Sequence, residues 1–182
     1  MRIVAGKYRA KKLIAPENNL IRPTSDRARE ALFSILYSKF GSMEGKTVLD
    51  IFAGTGALGF EALSRGAASV CFVDIDIQTI QKNARLFALE KEKIRLIKAD
   101  VSKPFHIGAQ FDFVFSDAPY DKGLNEVAFE CLAKNGVFKN DAICVVETRK
   151  NEVLCLPQNF VLTAQRVYGM AKIHIYIFHQ NV

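Results

Sequence analysis

The chain has no tryptophan, only five prolines and only three histidines in 182 residues. The histidines (His106, His174 and His179) are scattered. The four cysteines (Cys71, Cys131, Cys144 and Cys155) have no CxxC spacing, so neither a zinc framework nor any other metal site is expected. At least two of the cysteines lie in strand-like apolar runs, and all four read as reduced core thiols of a cytoplasmic protein. No apolar run reaches the roughly 18 residues that a membrane span needs. The start, Met1-Arg2-Ile3-Val4-Ala5-Gly6-Lys7, lacks the apolar stretch of a secretion leader. Internal repeats, low-complexity segments and interdomain linkers are missing too. Against these absences stand 49% hydrophobic and 24% charged residues, which exclude disorder as the dominant state. A chain of this length buries roughly 70% of its unfolded surface as one domain. The expected organisation is a single domain over 1–182, with a basic arm and opening helix in 1–40 and a core in 46–182.

Acidic residues are scarce at the front. Residues 1–39 hold nine lysines and arginines against three acids, and residues 40–182 balance, so the whole net charge of +6 lies in the first fifth. A segregated basic segment points to a polyanion, and nucleic acid is the soluble polyanion it suits. A solvated face without a partner is the alternative. The candidate phosphate contacts are Arg2, Lys7, Arg9, Lys11, Lys12, Arg22, Arg27 and Arg29.

Weak alternation around Gly6 predicts a short hairpin or extended arm over 2–14. Arg22-Pro23-Thr24 signals a helix start, with Thr24 or Ser25 as cap and Asp26 in the first turn. Ala28, Leu32, Ile35, Leu36 and Phe40 recur at helical spacing, leave Arg27, Glu30 and Ser34 on another face, and stop at Gly41. From residue 46 short apolar strands alternate with helices. The expected strands are Thr47–Phe52, Ser69–Asp74, Ile94–Ala99, Phe111–Ser116 and Ala142–Glu147. The expected helices are Ala57–Arg65, Ile77–Glu90 and Leu124–Lys134. That order implies an α/β fold with a doubly wound, mostly parallel sheet. Phe160–Tyr168 and Ile173–Phe178, with Gly169–Lys172 between them, predict a closing antiparallel hairpin.

The first strand leads into Asp50-Ile51-Phe52-Ala53-Gly54-Thr55-Gly56-Ala57-Leu58-Gly59, a G-x-G-x-x-G loop between strand and helix. Asp74, 18 residues after Gly56, ends the second strand, where an acid hydrogen-bonds ribose hydroxyls. A pyrophosphate would be repelled by Asp50 at the mouth of the first strand. Asp50 better suits a cation such as the ammonium of S-adenosylmethionine, and Asp100 adds an acceptor for an adenine amine. The fourth strand ends in Asp117-Ala118-Pro119-Tyr120. That run offers a carboxylate and a carbonyl to an exocyclic amine, and a ring to stack on a base. A plain proline turn with a packed tyrosine is the alternative.

These motifs resemble the RsmD-type 16S ribosomal RNA (guanine-N2)-methyltransferases, within the Rossmann-like class I S-adenosylmethionine-dependent methyltransferases. The resemblance rests on Arg22–Phe33, on Val48–Gly59, on Glu61–Ala67 and on Val73-Asp74-Ile75-Asp76, and spans nearly the whole chain. It implies methyl transfer from S-adenosyl-L-methionine to the N2 amine of one guanine of 16S rRNA, of the guanine-966 type. The substrate would be partly or fully assembled 30S subunits, and the enzyme a cytoplasmic monomer with no membrane partner. It implies a cofactor site of Asp50, Phe52, Ala53, Gly54, Thr55, Gly56, Asp74, Ile75, Asp100 and Val101, and a catalytic loop of Asp117, Ala118, Pro119 and Tyr120. The family's usual first proline in that loop is Ala118 here, which keeps the carbonyl but loosens the turn. Three alternatives stay open: an NAD-dependent oxidoreductase, an RNA-binding module without catalysis, and an adenine-N6 methyltransferase.

Overall fold

A computed structural model describes residues 1–15, 26–103 and 105–180. The predicted cap Arg22-Pro23-Thr24-Ser25 lies outside the described residues. The first helix, α1 (Asp26–Phe40), buries Leu32, Phe33 and Leu36 and exposes Arg27, Glu30 and Ser34. Then follow β1 (Thr47–Ile51), α2 (Ala57–Ser64), β2 (Ser69–Asp74), α3 (Gln78–Arg85), β3 (Ile94–Lys98) and β4 (Phe111–Ser116). The chain closes with α4 (Leu124–Lys134), β5 (Phe138–Arg149), β6 (Phe160–Tyr168) and β7 (Ala171–Phe178). The sheet order is β3-β2-β1-β4-β5-β7-β6. The first five strands pair in parallel, and β7 pairs antiparallel with both β5 and β6. This is the doubly wound α/β fold, mostly parallel with an antiparallel end, that the alternation predicts.

Side chains alternate across each strand, so the sheet separates two cores. One holds Val48, Phe60, Phe72, Phe115, Val145 and Ile175; the other holds Leu49, Val114, Phe129, Phe138, Cys144 and Tyr176. Phenylalanine fills both in place of tryptophan. Phe60 lies against Phe72 and Phe87, each with ring centroids 4.6 Å apart. Phe138, Phe160 and Phe178 close the other side.

β1, α2 and β3 end one residue earlier than the sequence reading, and three elements differ by two residues or more. The expected helix over 77–90 breaks after Arg85. The chain tightens into i→i+3 turns and a 3₁₀ segment, Ala88–Lys93, because Phe87 must drop into the core against Phe60. β5 is longer than expected, since β7 pairs with it from Ala142 to Arg149. β7 begins at Ala171, leaving a two-residue turn of Gly169 and Met170 with Gly169 at φ 61°. The thiols also divide: Cys71 and Cys144 are buried, but Cys131 is only part-buried and Cys155 is exposed.

The N-terminal arm is a hairpin, bridged at Arg2 and Lys12 with Ile3 and Leu13 buried. Its anchor is Glu61, fully buried on α2. The Glu61 carboxylate accepts the backbone N–H groups of Val4 (2.7 Å) and Ala5 (3.0 Å) and the Arg65 guanidinium (2.8 Å). Arg29 Nε stands 3.6 Å away. Here the sequence reading needs correction. Arg29 is fully buried, pairs with Asp26 and donates to the Arg2 carbonyl, so it is a structural tie and no phosphate contact. Removing a carboxylate that satisfies this many buried donors costs the full desolvation of each. Glu61→Ala therefore lowers stability by about 3 kcal/mol and raises amide exchange across residues 1–14; chemical denaturation and hydrogen exchange measure both.

Candidate active site

The strand order reverses between β1 and β4, which opens a crevice at the carboxyl ends of the parallel strands. Five acids of the chain gather around it. Asp50 ends β1 and is buried, and its Oδ2 accepts the Gly59 N–H at 2.9 Å. Gly59 is the third residue of α2, so this strand carboxylate caps a helix whose own cap, Gly56, has no side chain. Burial pushes the Asp50 carboxyl well above the usual range, the Gly59 bond opposes this, and the charges of Asp117 and Asp74 add to it.

The glycines of the loop serve different needs. Gly56 sits at φ 77°, and a Cβ there would meet the Phe60 ring at 2.6 Å. A Cβ on Gly59 would meet Phe72 at 2.3 Å, so this glycine lets α2 pack onto β2. Around Gly54 the space is open, with the nearest heavy atom 4.0 Å from where a Cβ would stand. Its N–H donates to Asp74 at 2.8 Å. Phe52, just before, holds the left-handed region at φ 52°, a costly conformation for a bulky residue and one that marks functional turns. Thr55 is buried, and its carbonyl accepts from the buried Asn83 of α3 at 2.9 Å.

Asp74 also accepts from the Asp76 N–H, and the next residue, Ile75, is a 66% exposed apolar side chain at the crevice. Asp100 accepts both the N–H and the hydroxyl of Ser102 and pairs with Lys103, while Val101 beside it is buried. The structure thus brings Asp50, Phe52, Ala53, Gly54, Thr55, Gly56, Asp74 and Ile75 together on β1 and β2, with Asp100 and Val101 following β3.

β4 delivers the second half. Asp117 is part-buried, Ala118 is buried, and Pro119 is exposed at the lip. Tyr120 donates its hydroxyl to Glu147 Oε1 at 2.6 Å. Desolvation pushes the Asp117 carboxyl well up, and the Glu147 charge pushes it further. Burial and the bond to Glu147 likewise raise the Tyr120 phenol. Ser116 donates to Asn125 at 2.7 Å, and Asn125 reaches the Glu147 carbonyl at 3.4 Å, so α4 and β5 are locked to this loop.

Sequence reasoning missed Glu147, Asn125 and Ser116. For Glu147 a signal exists: it ends the run Ala142–Val146, and a carboxylate closing a buried strand is costly unless it is used. Next to it Thr148 bonds His174 Nε2 at 2.9 Å, and Gln165 bonds His174 Nδ1 at 2.9 Å. Gln165 can only donate its amide to that nitrogen, which places the ring proton on Nε2. Burial, with Lys172 nearby, lowers His174 to about 4, so it is neutral and structural.

The basic candidates of the arm are partly engaged. Arg2 pairs with Asp26, Lys7 with Glu90, and Lys11 donates to the Leu86 carbonyl. Arg9, Lys12 and Arg27 are exposed. Arg2, Arg9 and Arg27 share a cleft of about 390 Å³ with Asp26 and Glu30, and the Asp117 loop does not line it. Arg22 lies outside the described residues.

Residues 1–177 match the family model described as Conserved hypothetical protein 95. Ribosomal RNA small subunit methyltransferase D of Haemophilus influenzae is 35% identical over 182 residues, 97% of this chain and 93% of that one. The solved structure of the yhhF protein from Escherichia coli superposes with a TM-score of 0.85 at 31% identity, covering 100% and 99% of the two chains. A Thermus thermophilus 16S rRNA N2 G1207 methyltransferase, solved with AdoMet and guanosine, shares the fold at a TM-score of 0.64 and 19% identity, covering 90% of this chain and 45% of that one. With a class I methyltransferase sheet, a glycine loop and an acid-tipped fourth strand in place, the chain belongs to this family, that of the ribosomal RNA small subunit methyltransferases D.

Proposed function

We propose that the protein transfers a methyl group from S-adenosylmethionine to the N2 amine of one guanine of 16S rRNA, acting as a single-domain monomer on partly or fully assembled small subunits. The observation that carries this reading is the juxtaposition of Asp117 and Glu147, each one residue beyond the paired Ser116 and Val146 of β4 and β5, with Tyr120 bonded to Glu147. On its Watson–Crick side guanine flanks the target amine with the N1–H donor, whereas adenine flanks its own amine with the N1 acceptor. Two neighbouring carboxylates favour the donor edge and therefore guanine over adenine. The related 16S rRNA methyltransferase solved with guanosine supports the same base.

The loop residues fit the cofactor. Open space over Gly54 admits a ligand to the backbone, Asp74 offers acceptors to ribose hydroxyls, and exposed Ile75 offers a flat apolar contact to adenine. Asp50 supplies negative charge for the ammonium and, with Phe52, Ala53, Thr55 and Gly56, shapes the loop around it. Asp100 and Val101 close the adenine end. When bound, S-adenosylmethionine supplies an electrophilic methyl carbon. The negative crevice disfavours a pyrophosphate and so an NAD-type cofactor.

The chain's own residues do the rest by positioning and electrostatics. Asp117 and the Ala118 carbonyl accept the two amine hydrogens and turn the nitrogen lone pair out of the ring plane. Tyr120, its hydroxyl fixed by Glu147, stacks on the extruded base. In its ionised form Asp117, whose proton affinity burial has raised, takes up the proton that the amine gives up. No covalent intermediate with the enzyme forms.

The variants Asp117→Ala and Asp117→Asn lower methyl transfer about 10²–10³-fold while S-adenosylmethionine still raises the melting temperature. Turnover at the wild-type rate contradicts the assignment. Asp117→Asn also tests the acid itself. Since the folded-state value lies above the unfolded one, the folded chain binds the proton more tightly, and stability falls as pH rises from about 4. The Asn variant therefore melts several degrees higher than wild type at neutral pH, and the gap closes toward pH 4. Glu147→Gln lowers kcat/KM for guanine about 10–100-fold.

A further inference from the structure

The balance of charge over residues 40–182 conceals a basic rim that only the fold assembles. Arg149 ends β5 and Lys150 follows it, Arg166 lies near the end of β6, and Lys172 near the start of β7. In the antiparallel registers Glu147 stands across from Ile173 and Ile173 from Arg166, while Thr148 stands across from Lys172 and Lys172 from Val167. The Lys150 N–H donates to the Met170 carbonyl at 2.8 Å. These four basic residues therefore share the sheet end that carries Asp117 and Glu147. Arg149 lies two residues past Glu147 on the same face, about 7 Å further along the strand. Its guanidinium stands 5.9 Å from the Tyr120 ring centroid and 3.1 Å from Asp121.

Arg149, Lys150 and Arg166 are exposed, and Lys172 is part-exposed. The nearby acids are Asp121 and Glu152, the latter accepting the Arg149 N–H. Lys122 adds another exposed cation. Val167 and Met170 stand 49% and 62% exposed at the hairpin tip, and Tyr168 is beside them. On the arm, by contrast, Lys7 and Lys11 are tied to Glu90 and Leu86 on the α3 flank of the sheet.

We propose that this rim of β5 and the β6–β7 hairpin is the phosphate clamp for the RNA strand that carries the target base. The inference rests on the proposed rRNA reading and adds the surface that holds the substrate. Several cations clustered at one sheet end suit a chain of phosphates, and each neutralised phosphate releases counterions. The apolar tip offers a surface to a base unstacked next to the extruded one. Arg149, against the Tyr120 loop, links the clamp to the base site.

The test uses the triple variant Lys150→Glu, Arg166→Glu, Lys172→Glu and its neutral counterpart Lys150→Gln, Arg166→Gln, Lys172→Gln, with in-vitro-transcribed 16S rRNA and unmethylated 30S subunits. The expected result is RNA affinity at least tenfold weaker, a KM for RNA that rises more than kcat falls, and a shallower salt dependence, with the slope of log K against log[salt] smaller by about 0.7–0.9 per lost contact. The melting shift with S-adenosylmethionine shows which variant is folded, and the neutral variant decides if the reversed one is not. Wild-type affinity, KM and salt slope in a folded variant overturn the clamp while leaving the methyltransferase reading intact. A wild-type protein that neither binds nor methylates these RNAs overturns both.

Discussion

The reversal of strand order between β1 and β4 is the constraint on which the rest depends. The chain builds β1, β2 and β3 outward to one side, then returns past β1 to lay down β4 and β5 on the other. No connection covers the carboxyl ends at the reversal, so a crevice is unavoidable there. The sequence places an acid within two residues of each of the five strand ends: Asp50, Asp74, Asp100, Asp117 and Glu147. Burying carboxylates at this end opposes folding, through desolvation first and like charge second, which raises the proton affinities of Asp50 and Asp117. Such local frustration is characteristic of sites kept for ligands rather than for stability.

The acids divide the work. Asp50 and Asp74 are spent mainly on shaping: one caps α2 through Gly59, the other holds the Gly54 N–H. Asp117 and Glu147 lie at the ends of the neighbouring strands β4 and β5, and Tyr120 is tied to Glu147. The insertion of β7 between β5 and β6 keeps β5 in the interior of the sheet, paired on both sides. It pairs with β5 from Ala142 to Arg149, and its neutral His174 fixes Thr148 one residue from Glu147. The same insertion folds the hairpin's cations back beside the site.

Much of this was legible in the sequence because the relevant signals are local. Strand–helix alternation, the glycine loop and the acids at the ends of the first four strands are short-range patterns, and β2, β4, α4 and β6 occupy the predicted residues. What escaped is what depends on distant partners. Phe87 looks like one more helical apolar residue until Phe60 demands it, and the helix breaks to satisfy that contact. Arg29 counts as surface charge in a tally, yet Glu61 and Asp26, one of them far along the chain, draw it inside. Glu147 acquires meaning only when β5 lies beside β4. The basic rim is invisible to a running charge count because antiparallel pairing brings residues 149–150 and 166–172 together.

The central claim is that the Asp117–Glu147 pocket methylates the N2 amine of a guanine in small-subunit rRNA. Its most direct measurement is methyl transfer from radiolabelled S-adenosylmethionine to unmethylated 30S subunits and to naked 16S rRNA, with the modified nucleoside identified by mass spectrometry. The account predicts N2-methylguanosine at a single site. N6-methyladenosine, or cofactor binding without any transfer to either substrate, contradicts it.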